Sequence, residues 1–206
     1  MKKFLILISF FHLALLCSTA QVTWNIKGGV GLASCITGAN VNPKAYFVAK
    51  IGAGLEKPLT PNLMLLPSLE FALKGGKYEL KNYDGNESLS LVYVQLPVLI
   101  GYRFNLSDMW NMTVKAGPYF AYALSGKLKQ DFVYEGITYN HSLDIFSNNE
   151  MKQTAKRFDV GIDAGIDFEV KRFVLGLEYE LGFISMAPND AKLKNQAAYI
   201  TVGYKF

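Results

Sequence analysis

Residues 157–183 read RFDVGIDAGIDFEVKRFVLGLEYELGF. From Phe158 every second residue is apolar: Phe158, Val160, Ile162, Ala164, Ile166, Phe168 and Val170. Between them stand Asp159, Gly161, Asp163, Gly165, Asp167 and Glu169. After Lys171-Arg172 the alternation resumes, with Phe173, Leu175, Leu177, Tyr179, Leu181 and Phe183 on one side and Val174, Gly176, Glu178, Glu180 and Gly182 on the other. A period of two describes a β-strand whose side chains point to opposite faces. A soluble sandwich would bury the apolar face in a core. A membrane barrel turns it toward lipid and keeps the charged face inside. We read the second, and the rest of the chain repeats the pattern.

The chain begins Met1-Lys2-Lys3, runs apolar from Phe4 to Leu16 and reaches Ser18-Thr19-Ala20. That order predicts a signal peptide over 1–20, cleaved after Ala20. The apolar run is shorter than the roughly 20 residues a spanning helix needs, and Leu16 is too large to precede Cys17 in a lipoprotein signal. Export removes Lys2 and Lys3 from the 21 basic residues and none of the 17 acids. No basic stripe remains for nucleic acid. Cys35 is then the remaining cysteine, with no partner for an intramolecular disulfide and no ligand neighbour for a metal. No cofactor is expected. Residues 21–206 fit one domain, and no later run is apolar enough for a membrane helix. Strands must then carry any membrane crossing, in a closed barrel that satisfies every backbone group.

Alternating stretches recur at 24–32, 47–56, 63–74, 92–104, 112–124, 158–170, 173–183 and 198–206. They predict an all-β, eight-stranded antiparallel up-and-down transmembrane barrel. Pro97 removes a ladder donor, so a bulge or slack pairing is expected there. Short turns are expected near Pro58, Leu106 and Lys171. Long polar loops are expected at Cys35–Pro43, Lys77–Ser90, Ser125–Lys156 and Ala187–Gln196, the longest with a small hairpin around Phe132–Tyr139. Tight periplasmic turns and longer outer loops are the habit of outer-membrane barrels. Tyr102, Phe104, Phe168, Phe173, Tyr204 and Phe206 would form the periplasmic aromatic rim, and Phe47, Phe71, Tyr122, Phe158 and Phe183 the outer one.

Eight strands close a cylinder that side chains can fill. The inward positions hold Lys27, Lys50, Lys74, Arg103, Lys115 and Lys205 against Glu56, Glu70, Asp159, Asp163, Asp167, Glu169, Glu178 and Glu180. A two-residue turn at Lys171-Arg172 would set Asp163 opposite Glu180, where like charges repel. Those acids should reach for cations on other strands. The expected lumen network is Lys50, Glu70, Arg103, Lys115, Asp159, Asp163, Asp167, Glu178 and Glu180.

Several stretches carry a family likeness: Val94-Gln95-Leu96-Pro97-Val98-Leu99-Ile100-Gly101-Tyr102-Arg103-Phe104, Ala116-Gly117-Pro118-Tyr119, Ser125-Gly126-Lys127, and Val202-Gly203-Tyr204-Lys205-Phe206. The sequence resembles the outer-membrane protein β-barrel domain family, with its porin-like and PorT-like members and the small OmpX- and OmpA-type barrels. The resemblance implies outer-membrane lipid around the chain in a Gram-negative cell. It implies an assembly signal at Tyr204 and Phe206 for the barrel-assembly machinery, and no defined substrate or catalytic residue. The expected function is a non-catalytic integral barrel with a filled lumen and surface loops open to an extracellular partner.

Three other readings compete: a secreted soluble barrel that carries a ligand, and two that keep the membrane. One of these two is a narrow passive pore, if the lumen charges line water. The other is a barrel hydrolase, using Asp163 with Glu180 as acid and base or His141, whose neighbours Ser142 and Asp144 lie too close in sequence for a triad. Gly28-Gly29-Val30-Gly31 lacks the Lys-Ser/Thr of a phosphate loop. Tyr134, Tyr139 and Phe146 offer an aromatic contact surface in the longest loop.

Overall fold

The computed structural model describes residues 22–37, 42–79, 84–134, 137–146, 155–186 and 193–206; the expected signal peptide and its cleavage point lie outside them. Ten strands follow in order: β1 (Thr23–Thr37), β2 (Asn42–Lys44), β3 (Tyr46–Pro58), β4 (Leu63–Glu79), β5 (Asp84–Asn105), β6 (Trp110–Tyr134), β7 (Ile137–Asp144), β8 (Phe158–Val170), β9 (Phe173–Gly182) and β10 (Leu193–Lys205). Eight of them form an antiparallel ring, β1-β3-β4-β5-β6-β8-β9-β10, closed where β10 pairs with β1 from Asn25↔Lys205 to Thr37↔Leu193. Closure leaves no free edge through the lipid-facing height of the wall. β2 and β7 stand outside the ring, added to the far ends of β4 and β6.

The alternation fixes which way each residue points. Ile26, Ile51, Leu69, Ile100, Val114, Ile166, Leu177 and Val202 are exposed on the outside, and the aromatic residues of both predicted rims ring the two ends of this apolar band. Charged residues line the inside. This is the reverse of a soluble core, and lipid is the solvent that makes it stable.

The wall bends at named places. Lys171 opens the two-residue turn with φ at 54°, where Val170 faces Phe173 and Asp163 faces Glu180. A side chain at positive φ costs about 1–2 kcal/mol. Lys171→Gly is therefore expected to stabilise the barrel by up to about 1 kcal/mol, read from urea unfolding in lipid vesicles; a loss of stability would contradict that strain.

The four polar loops are shorter than their composition suggests. β4 runs past the expected end at Lys74 to Glu79 and pairs with β5 out to Asn86. Gly75 takes φ 153°, and a Cβ there would sit 2.0 Å from the Leu89 carbonyl oxygen. β6 continues to Tyr134, inside the expected 125–156 loop, and Lys127–Tyr134 pairs with β7 as a hairpin longer than 132–139. β1 reaches Thr37 and β10 begins at Leu193, inside two other expected loops. Beyond the lipid both faces of a strand can be polar, so the alternation fades while the ladder hydrogen bonds persist. Pairing lapses around Pro97, between Pro97↔Tyr119 and Ile100↔Ala116, but the bulge lies at Val92/Tyr93.

Candidate functional site

Among the described residues the lumen gathers the buried ionisable groups, and they form stacked layers. Nearest the tight turns, Arg103 Nη2 lies 2.8 Å from Glu56 and 3.1 Å from Glu169. Lys205 bridges the same two carboxylates, 2.8 Å from Glu169. The Thr113 hydroxyl donates to Glu169 at 2.9 Å. In the next layer Lys27 lies 2.7 Å from Glu178, and Lys115 lies 2.7 Å from Asp167 and pairs with Glu178. Lys50 joins this layer to the one above: it contacts Glu178, lies 2.8 Å from Glu180 and 3.4 Å from Glu70. Lys74 lies 2.6 Å from Glu180, with its ammonium 4.1 Å from the centre of the Tyr119 ring, a cation–π contact. The Gln95 amide donates to both Glu70 and Glu180 at 3.0 Å.

Two of the nine expected network members stand apart. Asp159 has no cation within 4 Å among the described residues; the Tyr119 hydroxyl donates to it at 3.1 Å and the Asn195 amide at 3.0 Å. Asp163 is 1% exposed and has neither an ion pair nor a hydrogen-bond donor among the described residues, with its Oδ1 buried and unmatched. Its register places it directly across from Glu180. The other seven, Lys50, Glu70, Arg103, Lys115, Asp167, Glu178 and Glu180, are cross-linked from strand to strand.

The alternation named Lys27, Lys74, Lys205, Glu56 and Glu169 as inward, but not as network members. Periodicity gives the face of a strand and not its partner across a cylinder. Gln95 falls on the inward face of the 92–104 stretch but has no charge to mark it, and Asn195 lay in an expected loop.

Above the charges the lumen turns apolar. Tyr93 and Tyr119 are fully buried under Ile145, Phe146 and Met186, which follow β7 and β9 and close the end opposite the tight turns. The Arg157 guanidinium covers the Phe146 ring at 4.3 Å and donates to the Ala123 carbonyl at 3.1 Å. Phe146 thus belongs to the lid and not to an exposed surface; the side chains of Tyr134 and Tyr139 lie outside the described residues. The cavity left beside Lys27, Lys115, Asp163 and Asp167 measures about 40 Å³. A water molecule needs about 10–15 Å³ of such space, so this cavity has room for a few waters.

Among the described residues no cluster of His, Cys, Asp and Glu could hold a metal ion. His141 and Ser142 are neighbours on β7 and so point to opposite faces of it. At the tight-turn rim, the Tyr204 ring packs edge-on against Phe206 at 5.3 Å and Phe173 at 5.4 Å.

A family model described as outer membrane protein beta-barrel domain matches residues 19–187. No curated protein matches the sequence significantly. Among solved structures, neisserial surface protein A (NspA) aligns at 13% identity over 89% of this chain and 97% of that one, with a TM-score of 0.51. OprG from Pseudomonas aeruginosa aligns at 10% identity over 91% and 97%, with a TM-score of 0.50. The outer membrane enzyme PagL aligns at 11% identity over 85% and 98%, with a TM-score of 0.42. At such identities the likeness concerns the fold alone, and NspA and OprG carry it.

Proposed function

The chain belongs to the outer membrane protein beta-barrel domain family, and from that premise we propose that it is a non-enzymatic barrel, sealed by its own side chains, whose long strand ends serve contacts outside the cell. It resides in the outer membrane. The observation that carries the proposal is the filled lumen: six cations cross-linked to six of eight carboxylates, under an apolar lid.

Passive conduction needs mobile ions in continuous water, and the fixed ion pairs leave space for only a few molecules. Hydrolysis needs a base with access to substrate. Glu180 is held by Lys50 and Lys74, Asp163 is buried beneath the lid, and His141 and Ser142 diverge. The strand ends, in contrast, are long and reach well past the apolar band.

In this reading the tight turns face the periplasm, residues 1–20 are a leader removed after Ala20, and Tyr204 on β10, with Phe206 just after the strand, engages the assembly machinery. Planar-bilayer recording tests the seal: purified protein is expected to give no reproducible unitary conductance, and steady channels of one size would overturn the proposal. Hydrolysis of lipid A or peptide that survives purification, and is lost on His141→Ala, would overturn the non-enzymatic part.

A further inference from the structure

The bulge between Val92 and Tyr93 does more than bend the wall. Val92 pairs with Ser125 and Tyr93 with Ala123, which leaves Leu124 as the extra residue of β6. Below it Phe120 and Tyr122 face outward; at it Leu124, 48% exposed, and Ser125 are both outside; above it Gly126 turns in, and Lys127 and Lys129 turn out. Uninterrupted alternation would have pointed Gly126 and Leu128 outward and both lysines into the barrel. A bulge re-aims every side chain beyond it.

The residues thus turned out join a laterally paired patch. Directly paired residues share a face, so the outer face carries two successive rows: Gly75, Ser90, Lys127 and Asp144, then Lys44, Lys77, Ser88, Lys129 and Ser142. Asp144 is the lone carboxylate in these two rows, and Glu79 and Asp131 occupy the row beyond. Lys77, Lys127 and Lys129 have no carboxylate within 4 Å among the described residues, in contrast to every lysine of the lumen. The row beneath the patch, Leu73 and Val92 with Leu124, is the upper edge of the apolar band. Rows two residues apart are about 7 Å apart and neighbouring strands about 4.8 Å. Three ammonium groups and three serine hydroxyls therefore stand within about 15 Å of one another, at the height where lipid headgroups begin.

We propose that this outer face of β4–β7 binds the phosphate groups of outer-leaflet lipid, with Lys77, Lys127 and Lys129 as the cationic contacts and Ser88, Ser90 and Ser142 as hydrogen-bond donors. Charge complementarity selects a phosphorylated headgroup, and continuity with the lipid-facing band selects a lipid over a free anion. The proposal rests on the reading that this end faces outward. Cysteine labelling of Ser142→Cys on intact cells checks that orientation separately, whereas the binding test below uses purified protein and does not depend on it.

The test is native mass spectrometry of the detergent-solubilised barrel titrated with diphosphoryl lipid A. Each lysine near an anionic surface contributes roughly fivefold in affinity, so K77Q/K127Q/K129Q is expected to bind at least about tenfold more weakly while keeping wild-type heat-modifiable gel mobility. K77R/K127R/K129R should bind as wild type does. Neutralising the opposite rim with K171Q/R172Q should change nothing, and excess inorganic phosphate should displace little lipid. Equal binding of dephosphorylated lipid A, equal binding by the glutamine variant, or loss on K171Q/R172Q would each overturn the proposal. Full displacement by inorganic phosphate would overturn it in favour of a simple anion patch.

Discussion

Replacing Glu180 by leucine is expected to lower the unfolding free energy of the barrel by about 3–5 kcal/mol, whereas Asp163→Asn, one strand away in the same ladder, is expected to cost nothing. Both carboxylates are 1% exposed and stand opposite each other, so composition and burial do not separate them. Their partners do. Glu180 accepts from Lys50 at 2.8 Å, pairs with Lys74 at 2.6 Å and accepts from Gln95 at 3.0 Å. Without it Lys50 keeps Glu70 and Glu178, but Lys74 is left without a carboxylate in a lumen that water barely enters. A buried charge stripped of its counterion is the costly case. Asp163 has no such dependent. Asparagine there removes a like charge facing Glu180 and is expected to gain up to about 1 kcal/mol. Urea unfolding in lipid vesicles, followed by tryptophan fluorescence, measures both variants. Equal destabilisation by the two would show that the charges fill space without specific pairing, and the sealed-lumen reading would lose its support.

The second large effect is expected at the seam where the ring closes. Gly31 pairs with Tyr199 between β1 and β10, and a Cβ at Gly31 would lie 1.9 Å from the Ala198 carbonyl oxygen. That neighbour is backbone and cannot rotate away. Gly31→Val is expected to prevent correct closure: little or no heat-modifiable band, and protease sensitivity along the whole chain. Three positions earlier, Gly28 faces the lipid, and a Cβ there would meet only the Lys50 carbonyl oxygen at 3.8 Å. Gly28→Ala should assemble at wild-type yield. A folded Gly31→Val barrel would mean that the β1–β10 ladder sits differently from the register described above.

The contrast between these neighbours shows where sequence reading stops. Alternation alone determined the eight lipid-crossing strands, their inward and outward faces and the three tight turns, because lipid outside and ions inside impose a period of two on every residue between the rims. It also fixed the Asp163–Glu180 register, since a two-residue turn at Lys171-Arg172 leaves no other pairing. It lost the strand ends above the membrane: at Lys77, Ser88, Lys129 and Ser142 both faces of the sheet can be polar, and the ladder there is held by backbone hydrogen bonds that no side chain announces. Only the tertiary structure decided that Lys74 serves Glu180, that Asp163 has no cation within 4 Å among the described residues, and that one extra residue at Leu124 swings Lys127 and Lys129 outward. Each of these depends on distances across a closed cylinder or on a single shift of register, and a linear order of residues contains neither.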